Sequence, residues 1–439
     1  RRGVSRRPRG VGIASEKNIM KIAVFLPNWL GDVAMATPAL RALRKRFGPD
    51  AKIVGIMRPY LADVLAGTDW LDEQWFFNPR AEDRQLRCRA VARRMRGERF
   101  DLALLTTNSL RTAWVAWRGG AKRRVGYVRY GRGPLLTDKL SPKRQGRKIA
   151  PEPMVDSYLR LAYAVGCEAE SPRLELTATE ADERSADGVF QRLGLGEHPI
   201  AALNSSGAYG GAKLWPVEYF AQLARRIIDE LQYDVLVCCG PKEREIAREI
   251  VRQAESITAG SRKGGSPIVG IVSQLENVDE SKRPATALER ELRRFPSGRP
   301  QPAGVVTDLN HRTVNQPPGA PSQQKQTGAS YKPPHVVSMA DQPMDLGTAK
   351  ACIRRCRVMA STDSGPRHVA AALGLPVVTM FGPMLPVWSE NSTQRAANLV
   401  LDLDCIGCHK RVCPLGHHRC MRDLSVDTVF DAVCRLLDA

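Results

Sequence analysis

The sequence predicts an α/β fold made of two Rossmann-like domains, with parallel sheets facing each other across a cleft. Three observations carry that expectation. Apolar runs of strand length alternate with amphipathic stretches of helical period, the pattern of βαβ units. The alternation occurs twice, on either side of a polar passage around Glu168–Glu183. A chain of 439 residues is also long enough for two domains of ordinary size, each burying its own core.

In the first half, Ile22–Leu26, Lys52–Met57 and Leu102–Leu105 read as strands. Met35–Phe47, Tyr60–Leu65 and Arg84–Arg96 carry helical patterns, and Met154–Val165 is a further amphipathic helix. In the second half, strand Ile200–Leu203 enters a Gly-rich turn, Ser205–Gly211, followed by helix Val217–Leu231 and strand Asp234–Cys239. Arg357–Met359 and Val377–Phe381 read as strands, with helix His368–Leu373 between them and a last helix at Val426–Leu437. The expected division is a basic, disordered N-terminal extension at 1–19, a first Rossmann-like domain at 20–185 and a second at 186–439. The second domain holds a disordered insertion at about 255–335, rich in Pro, Gly, Ser, Gln and Lys with one short helix at Ala287–Arg294, and a Cys-rich segment at 405–420. So long a structureless stretch reads as an insertion, because its composition cannot bury a core. Two such halves with a site in the cleft between them describe the GT-B architecture.

A formal net charge of +20 and a pI near 9.8 favour polyanionic partners: nucleic acid, an anionic membrane surface or a phosphorylated substrate. The basic residues are dispersed and lack an interleaved aromatic platform, and no helix-turn-helix, RNP motif or nucleic-acid-binding zinc finger is present. A basic nucleic-acid-binding protein is therefore the rival reading, and no specific nucleic acid is expected. No apolar run approaches the roughly 18–20 residues that cross a bilayer. The Arg-rich Arg1–Lys17 is not followed by an apolar signal core, and Met20 reads equally well as the natural start. A cytoplasmic protein, peripheral at the inner face of the membrane, is expected.

Three segments carry chemistry. In Met20–Leu40 an apolar run breaks at Pro27, turns through Asn28-Trp29-Leu30-Gly31 and places Asp32 where a helix begins. Ligands of open parallel sheets bind at such a strand-to-helix turn. A carboxylate there suits a general base and would repel phosphate; the alternative is that Asp32 only caps the helix. The second segment runs Asn204-Ser205-Ser206-Gly207-Ala208-Tyr209-Gly210-Gly211-Ala212-Lys213-Leu214-Trp215-Pro216. Its glycines let backbone N–H groups approach phosphate, Lys213 adds a point charge, and Pro216 suits the first turn of a helix. The third is Ser361-Thr362-Asp363-Ser364-Gly365-Pro366-Arg367-His368, where a strand end meets a helix N-terminus able to hold phosphate. A lone histidine is ordinarily structural, but His368 sits beside that Gly turn.

Together these segments resemble the heptosyltransferases of lipopolysaccharide inner-core assembly, glycosyltransferase family nine, and within it the heptosyltransferase II type. The resemblance rests on Pro27-Asn28-Trp29-Leu30-Gly31-Asp32, on Gly207–Pro216 with Ala212-Lys213, and on Thr362-Asp363-Ser364-Gly365 with His368-Val369-Ala370-Ala371-Ala372. Supporting stretches are Leu135-Leu136-Thr137-Asp138, Pro153-Met154-Val155-Asp156 with Tyr158-Leu159, and Phe381-Gly382-Pro383. It spans Met20 to the C-terminus apart from Ala254–His335. The resemblance implies Asp32 as the base that deprotonates an acceptor hydroxyl and Lys213 as a catalytic lysine against the donor diphosphate. It also implies that domain 20–185 binds the acceptor and domain 186–439 the nucleotide-sugar, with a donor site of Ser206, Gly207, Lys213, Asp363, Ser364, Gly365 and His368. It implies inverting transfer of heptose from ADP-heptose to the heptose/Kdo-lipid A core, with no metal or cofactor in the active site. Another nucleotide-sugar or acceptor within the same family is the alternative. With an unperturbed pKa of about 3.9, Asp32 is expected to be ionised at neutral pH. The final helix is expected to return to the first domain, as in other GT-B enzymes.

Most of the eleven cysteines are isolated in apolar stretches and read as small buried hydrophobes. The exception is Cys405-x-x-Cys408 with Cys413 and Cys420, interspersed with His409, His417 and His418. These four are a candidate structural zinc site, with reduced structural cysteines as the alternative.

Overall fold

The computed structural model describes residues 19–146, 148–207, 210–257 and 332–438. The expected N-terminal extension, apart from its last residue, and the expected insertion between 258 and 331, with its helix, lie outside the described residues. The first half runs β1 (Lys21–Phe25), α1 (Leu30–Phe47), β2 (Lys52–Met57), β3 (Glu73–Phe76), α2 (Cys88–Glu98), β4 (Leu102–Leu105), α3 (Leu110–Arg118), β5 (Arg123–Tyr127) and β6 (Asp138–Leu140). A small antiparallel hairpin, β7 (Arg144–Gln145) and β8 (Lys148–Ile149), precedes α4 (Met154–Tyr163). The second half runs α5 (Glu180–Leu193), β9 (Ile200–Asn204), α6 (Val217–Arg226, continued by a π-helical turn), β10 (Asp234–Cys238), α7 (Arg244–Ser256), β11 (Val336–Ser338) and α8 (Leu346–Arg354). It ends with β12 (Val358–Thr362), α9 (Gly365–Ala372), β13 (Val377–Phe381), β14 (Ala396–Val400), α10 (Arg419–Arg422) and α11 (Val426–Asp438).

The strands form two six-stranded sheets, ordered β3-β2-β1-β4-β5-β6 and β11-β10-β9-β12-β13-β14. Every pairing within them is parallel. Both halves therefore have the doubly wound order of a Rossmann fold, which reverses direction once. The reversal lies between β1 and β4 in one sheet and between β9 and β12 in the other. Central strands such as β1 and β9 are apolar on both faces because helices cover both sides.

One apolar cluster runs without a break from α1 and α4 through Ala186 and Val189 of α5 to Met359 and Val369. This cluster draws on both sheets, so their inner faces share one core. The outer faces of the first and second sheets have clusters of their own.

Several local features explain the elements. Pro38 inside α1 has no N–H for the Ala34 carbonyl, and the Thr37 hydroxyl donates to that carbonyl at 2.7 Å instead. The expected division at 185/186 falls inside α5, which packs on α8. A capping box of Thr179 and Asp182 starts that helix, so the passage between halves is the extended stretch 167–179. The last helix does not return to the first domain. Its Val429, Phe430, Ala432 and Val433 complete the outer core of the second sheet, against α6, β12, β13 and β14.

Lys350 of α8 is buried and donates across the two halves to the carbonyls of Val64 at 3.2 Å and Ala66 at 3.1 Å. Burial pulls its ammonium pKa below the usual lysine value. Lys350→Ala leaves two carbonyls of the first half unpaired, so it should cost about 2–4 kcal/mol of unfolding free energy, measured by urea denaturation at neutral pH. A change below half a kcal/mol would show that the carbonyls find other donors.

Candidate active site

The N-termini of α1 and α9 meet because two glycines remove the atoms that would keep them apart. A Cβ at Gly31 would lie 2.7 Å from Cδ2 of His368, and one at Gly365 would lie 3.0 Å from Cβ of Leu30. Since α1 follows β1 and α9 follows β12, the contact brings the carboxyl ends of both sheets together at their points of reversal.

Asp32 stands in the first turn of α1. The N-cap is Trp29, which makes no side-chain cap, so Asp32 is not the capping residue. The buried Tyr158 of α4 donates its hydroxyl to Oδ1 of Asp32 at 3.4 Å. Burial raises the Asp32 pKa to about 6, against the opposing Tyr158 hydrogen bond; Asp363 raises it further through space and Lys213 lowers it. The expectation of an unperturbed carboxylate is corrected accordingly. At neutral pH the group is ionised, but as a much better proton acceptor than a surface aspartate.

Asp363 has the opposite environment. Its Oδ2 lies 2.6 Å from the Lys213 ammonium and its Oδ1 3.1 Å from Nε of Arg367. Lys213 also donates to the Asp363 carbonyl at 2.9 Å. Burial alone would raise the carboxyl pKa, but Arg367 and Lys213 outweigh it and hold it at about 2. Arg367 itself is buried and lies over the Phe381 ring, 5.1 Å from its centroid. His368, also buried, has its pKa well below the ordinary value, first through burial and then through Arg367, so its imidazole is neutral. No protein group among the described residues bonds its Nδ1.

The loops that carry these groups are tied together. Asn204, at the end of β9, donates to Ser361 at 2.9 Å and to Ser364 at 2.8 Å. Thr362 donates to the Ser206 carbonyl at 2.5 Å, and the Ser206 hydroxyl reaches Glu243 at 3.5 Å. Gly207 packs under Leu214, where a Cβ would be 2.5 Å from a methyl carbon. Ala208 and Tyr209 of the expected phosphate turn lie outside the described residues. Beyond Lys213, Trp215 is buried, donates to the Leu424 carbonyl at 2.9 Å and stacks edge-on with Phe220. Pro216 is the N-cap of α6 rather than a residue of its first turn.

Sequence-predicted Ser206, Gly207, Lys213, Asp363, Ser364, Gly365 and His368 thus gather around the carboxyl ends of β9 and β12, and Asp32 approaches from the other half. Arg367 is signalled in the sequence only by its i, i+4 spacing from Asp363. Asn204 gave no signal beyond its place at a strand end. Tyr158 appeared only in a supporting stretch, since nothing local links it to a residue 126 positions away.

The sequence model of glycosyltransferase family 9 (heptosyltransferase) matches residues 88–260 and 337–419, over half of the chain. Lipooligosaccharide heptosyltransferase 2 of Campylobacter jejuni is 37% identical over 421 residues, covering 95% of this chain and 98% of the relative. Lipopolysaccharide heptosyltransferase 2 of Escherichia coli is 24% identical over 427 residues, covering 95% and 99%. Among solved structures, the glycosyl transferase family 9 protein of Veillonella parvula superposes with a TM-score of 0.67 at 20% identity, covering 95% of this chain and 97% of that one. ADP-heptose lps heptosyltransferase II of E. coli gives a TM-score of 0.63 at 21% identity, covering 95% and 98%.

Replacing Asp363 with Asn leaves Lys213 and Arg367 without their counter-charge. Asp363→Asn should destabilise the protein by about 3–5 kcal/mol near neutral pH. Because the folded carboxyl pKa is depressed, its contribution is present above about pH 4 and lost as pH falls toward about 2. The gap between wild type and variant should therefore close in acid denaturation curves, and a gap constant with pH would refute the ion-pair account.

Proposed function

Since the chain belongs to glycosyltransferase family 9 (heptosyltransferase), we propose that it is an inverting glycosyltransferase that moves L-glycero-D-manno-heptose from ADP-heptose to the heptose/Kdo-lipid A core of lipopolysaccharide. The observation that carries this reading is the approach of Asp32 on one half to the Lys213–Asp363–His368 cluster on the other. An inverting transfer needs a base on the acceptor side and stabilisation of the departing diphosphate opposite it.

In this mechanism the acceptor hydroxyl gives its proton to Asp32 while its oxygen attacks the anomeric carbon. The bond from that carbon to the diphosphate oxygen breaks on the far side, and ADP leaves with the bonding electrons. Tyr158 steadies the carboxylate through its hydroxyl, keeping Asp32 aimed at the acceptor. Lys213 and the N-terminus of α9 supply positive potential where the diphosphate charge grows. Asp363 fixes Lys213 in place rather than touching the sugar. A neutral His368 adds a polar edge without adding charge.

The acceptor is a lipid, and the first half presents a face suited to a membrane surface. Trp29 follows β1, Tyr60 follows β2, Leu110 and Arg111 follow β4, and Arg129 and Tyr130 follow β5, all at the carboxyl edge of the first sheet. Trp29, Tyr60, Leu110 and Tyr130 are 50–70% exposed there. Aromatic and aliphatic side chains among arginines match an anionic bilayer interface. No helix among the described residues is long and apolar enough to cross a membrane, so the contact is proposed as peripheral.

The decisive assay is transfer from ADP-heptose to a heptose-terminated Kdo-lipid A acceptor. Asp32→Asn should lower the rate by roughly 10²–10⁴-fold, and Lys213→Ala by roughly 10²–10³-fold. The wild-type rate should rise with pH through about 6 as Asp32 ionises. The folded carboxyl binds its proton more tightly than the unfolded one, so stability falls as pH rises through that window. Asp32→Asn should therefore be more stable than wild type by about 1–3 kcal/mol near pH 8, with the difference gone by about pH 4. A wild type that binds ADP yet transfers no heptose would refute the sugar assignment.

Flotation tests the membrane face. The wild type should rise with vesicles containing phosphatidylglycerol and remain below with pure phosphatidylcholine. Arg129→Ser combined with Tyr130→Ser should reduce flotation several-fold while leaving the fold intact. Equal flotation on both vesicle types, or none on either, would count against peripheral docking by charge.

A further inference from the structure

Between β14 and α10 the chain runs from 401 to 418 without helix or strand, and it includes the whole Cys-rich segment. Such a stretch has little core of its own, so something else must order it. Cys405, Cys408, Cys413 and Cys420 all line a single cavity, together with Ala212 and His417. All four are half-buried and free.

Two of them sit at tight turns of the kind that wrap an ion. Gly407, between Cys405 and Cys408, has φ of +73°, and Gly416, after Cys413, has φ of +71°. The second turn is closed by the Gly416 N–H, which donates to the Cys413 carbonyl at 3.3 Å.

The histidines are already committed. His418 Nε2 lies 2.8 Å from the Ala212 carbonyl and donates to it. His417 Nδ1 accepts the backbone N–H of Arg419 at 3.0 Å, so its proton is on Nε2, which points at the Cys405 sulfur from 4.0 Å. His417 is therefore a hydrogen-bond donor to a sulfur rather than a ligand, the arrangement that supports metal-bound thiolates. Among the described residues no three His, Cys, Asp or Glu side chains are already spaced to hold an ion. The sulfurs line the cavity and would be drawn inward by binding, the usual coupling of metal uptake to local folding.

We propose that Cys405, Cys408, Cys413 and Cys420 bind one zinc ion as a tetrahedral set of thiolates, and that this knuckle clamps the loop carrying Lys213. Four thiolates and no other ligand make a closed, structural site. The clamp is visible in the backbone. Ala212 donates its N–H to the Arg411 carbonyl at 3.0 Å while its own carbonyl takes the His418 ring. Gly210 lies so close that a Cβ there would be 2.6 Å from that same Arg411 oxygen. Ordering the knuckle thus orders the residue next to Lys213 from both sides. The clamp's effect on donor binding rests on the proposed function; the zinc site does not.

The test begins with the wild-type chain purified from zinc-supplemented medium. Elemental analysis should give about one zinc per chain, and Co²⁺ exchanged for it should show sulfur-to-cobalt charge transfer and tetrahedral d–d bands. Cys405→Ser and Cys413→Ser should each lose the metal. His417→Ala should keep the stoichiometry with roughly 10–100-fold weaker affinity. Removing zinc with a chelator should weaken ADP binding in calorimetry with the far-ultraviolet circular dichroism little changed. Trace metal only, with the tail thiols of native wild type reacting freely, would overturn the zinc site, as would a full zinc complement in Cys405→Ser. Unchanged ADP affinity after zinc removal would overturn the clamp. A zinc-loaded protein that binds no ADP would refute the donor reading alone, since the metal measurements stand apart from it.

Discussion

The contact between the N-termini of α1 and α9 governs the rest of the site. Gly31 and Gly365 leave room for Leu30 and His368 to pass at van der Waals distance. That approach brings Asp32 within electrostatic reach of Asp363 and Lys213, as their mutual effects on the Asp32 pKa show. A larger residue at either glycine would push the helices apart and separate Asp32 from Lys213 and Asp363. The site thus depends on the absence of two side chains as much as on the presence of the reactive ones.

Two aspartates within this contact are tuned in opposite directions by ordinary means. Burial dominates at Asp32, whose single hydroxyl donor only partly offsets it. Two cations dominate at Asp363, despite comparable burial. The first becomes a proton acceptor and the second a permanent anion that locates a lysine. Environment, rather than residue type, separates the two roles.

Much of this was legible in the sequence. The central strands β1, β2, β4, β9 and β13 were apparent because they are apolar on both faces, as buried parallel strands are. Edge strands β3, β6 and β14 were not, being short and only partly buried. The polar residues around helix α5 read as a connection, although Thr179 and Asp182 spell its capping box. Every motif residue singled out for the donor side lies near β9 and β12, since each motif was a strand end followed by a turn. What could not be read was anything set by tertiary distance: the Asp32 pKa, the Tyr158 hydroxyl, and the pairing of Lys213 with Asp363 across 150 positions. The placement of the last helix was misjudged because an amphipathic face does not say which sheet it will cover.

The apolar cluster shared by the two halves has a thermodynamic consequence. Residues of α1, α5, β12 and α9 all contribute to it, so neither half can lose its structure without exposing hydrocarbon that belongs to the other. The halves are then one cooperative unit rather than two tethered ones. Whatever binds the folded second half lowers the population of unfolded chain as a whole. A ligand held by the second half alone thereby protects the first half from unfolding, although it need not touch a single atom of it.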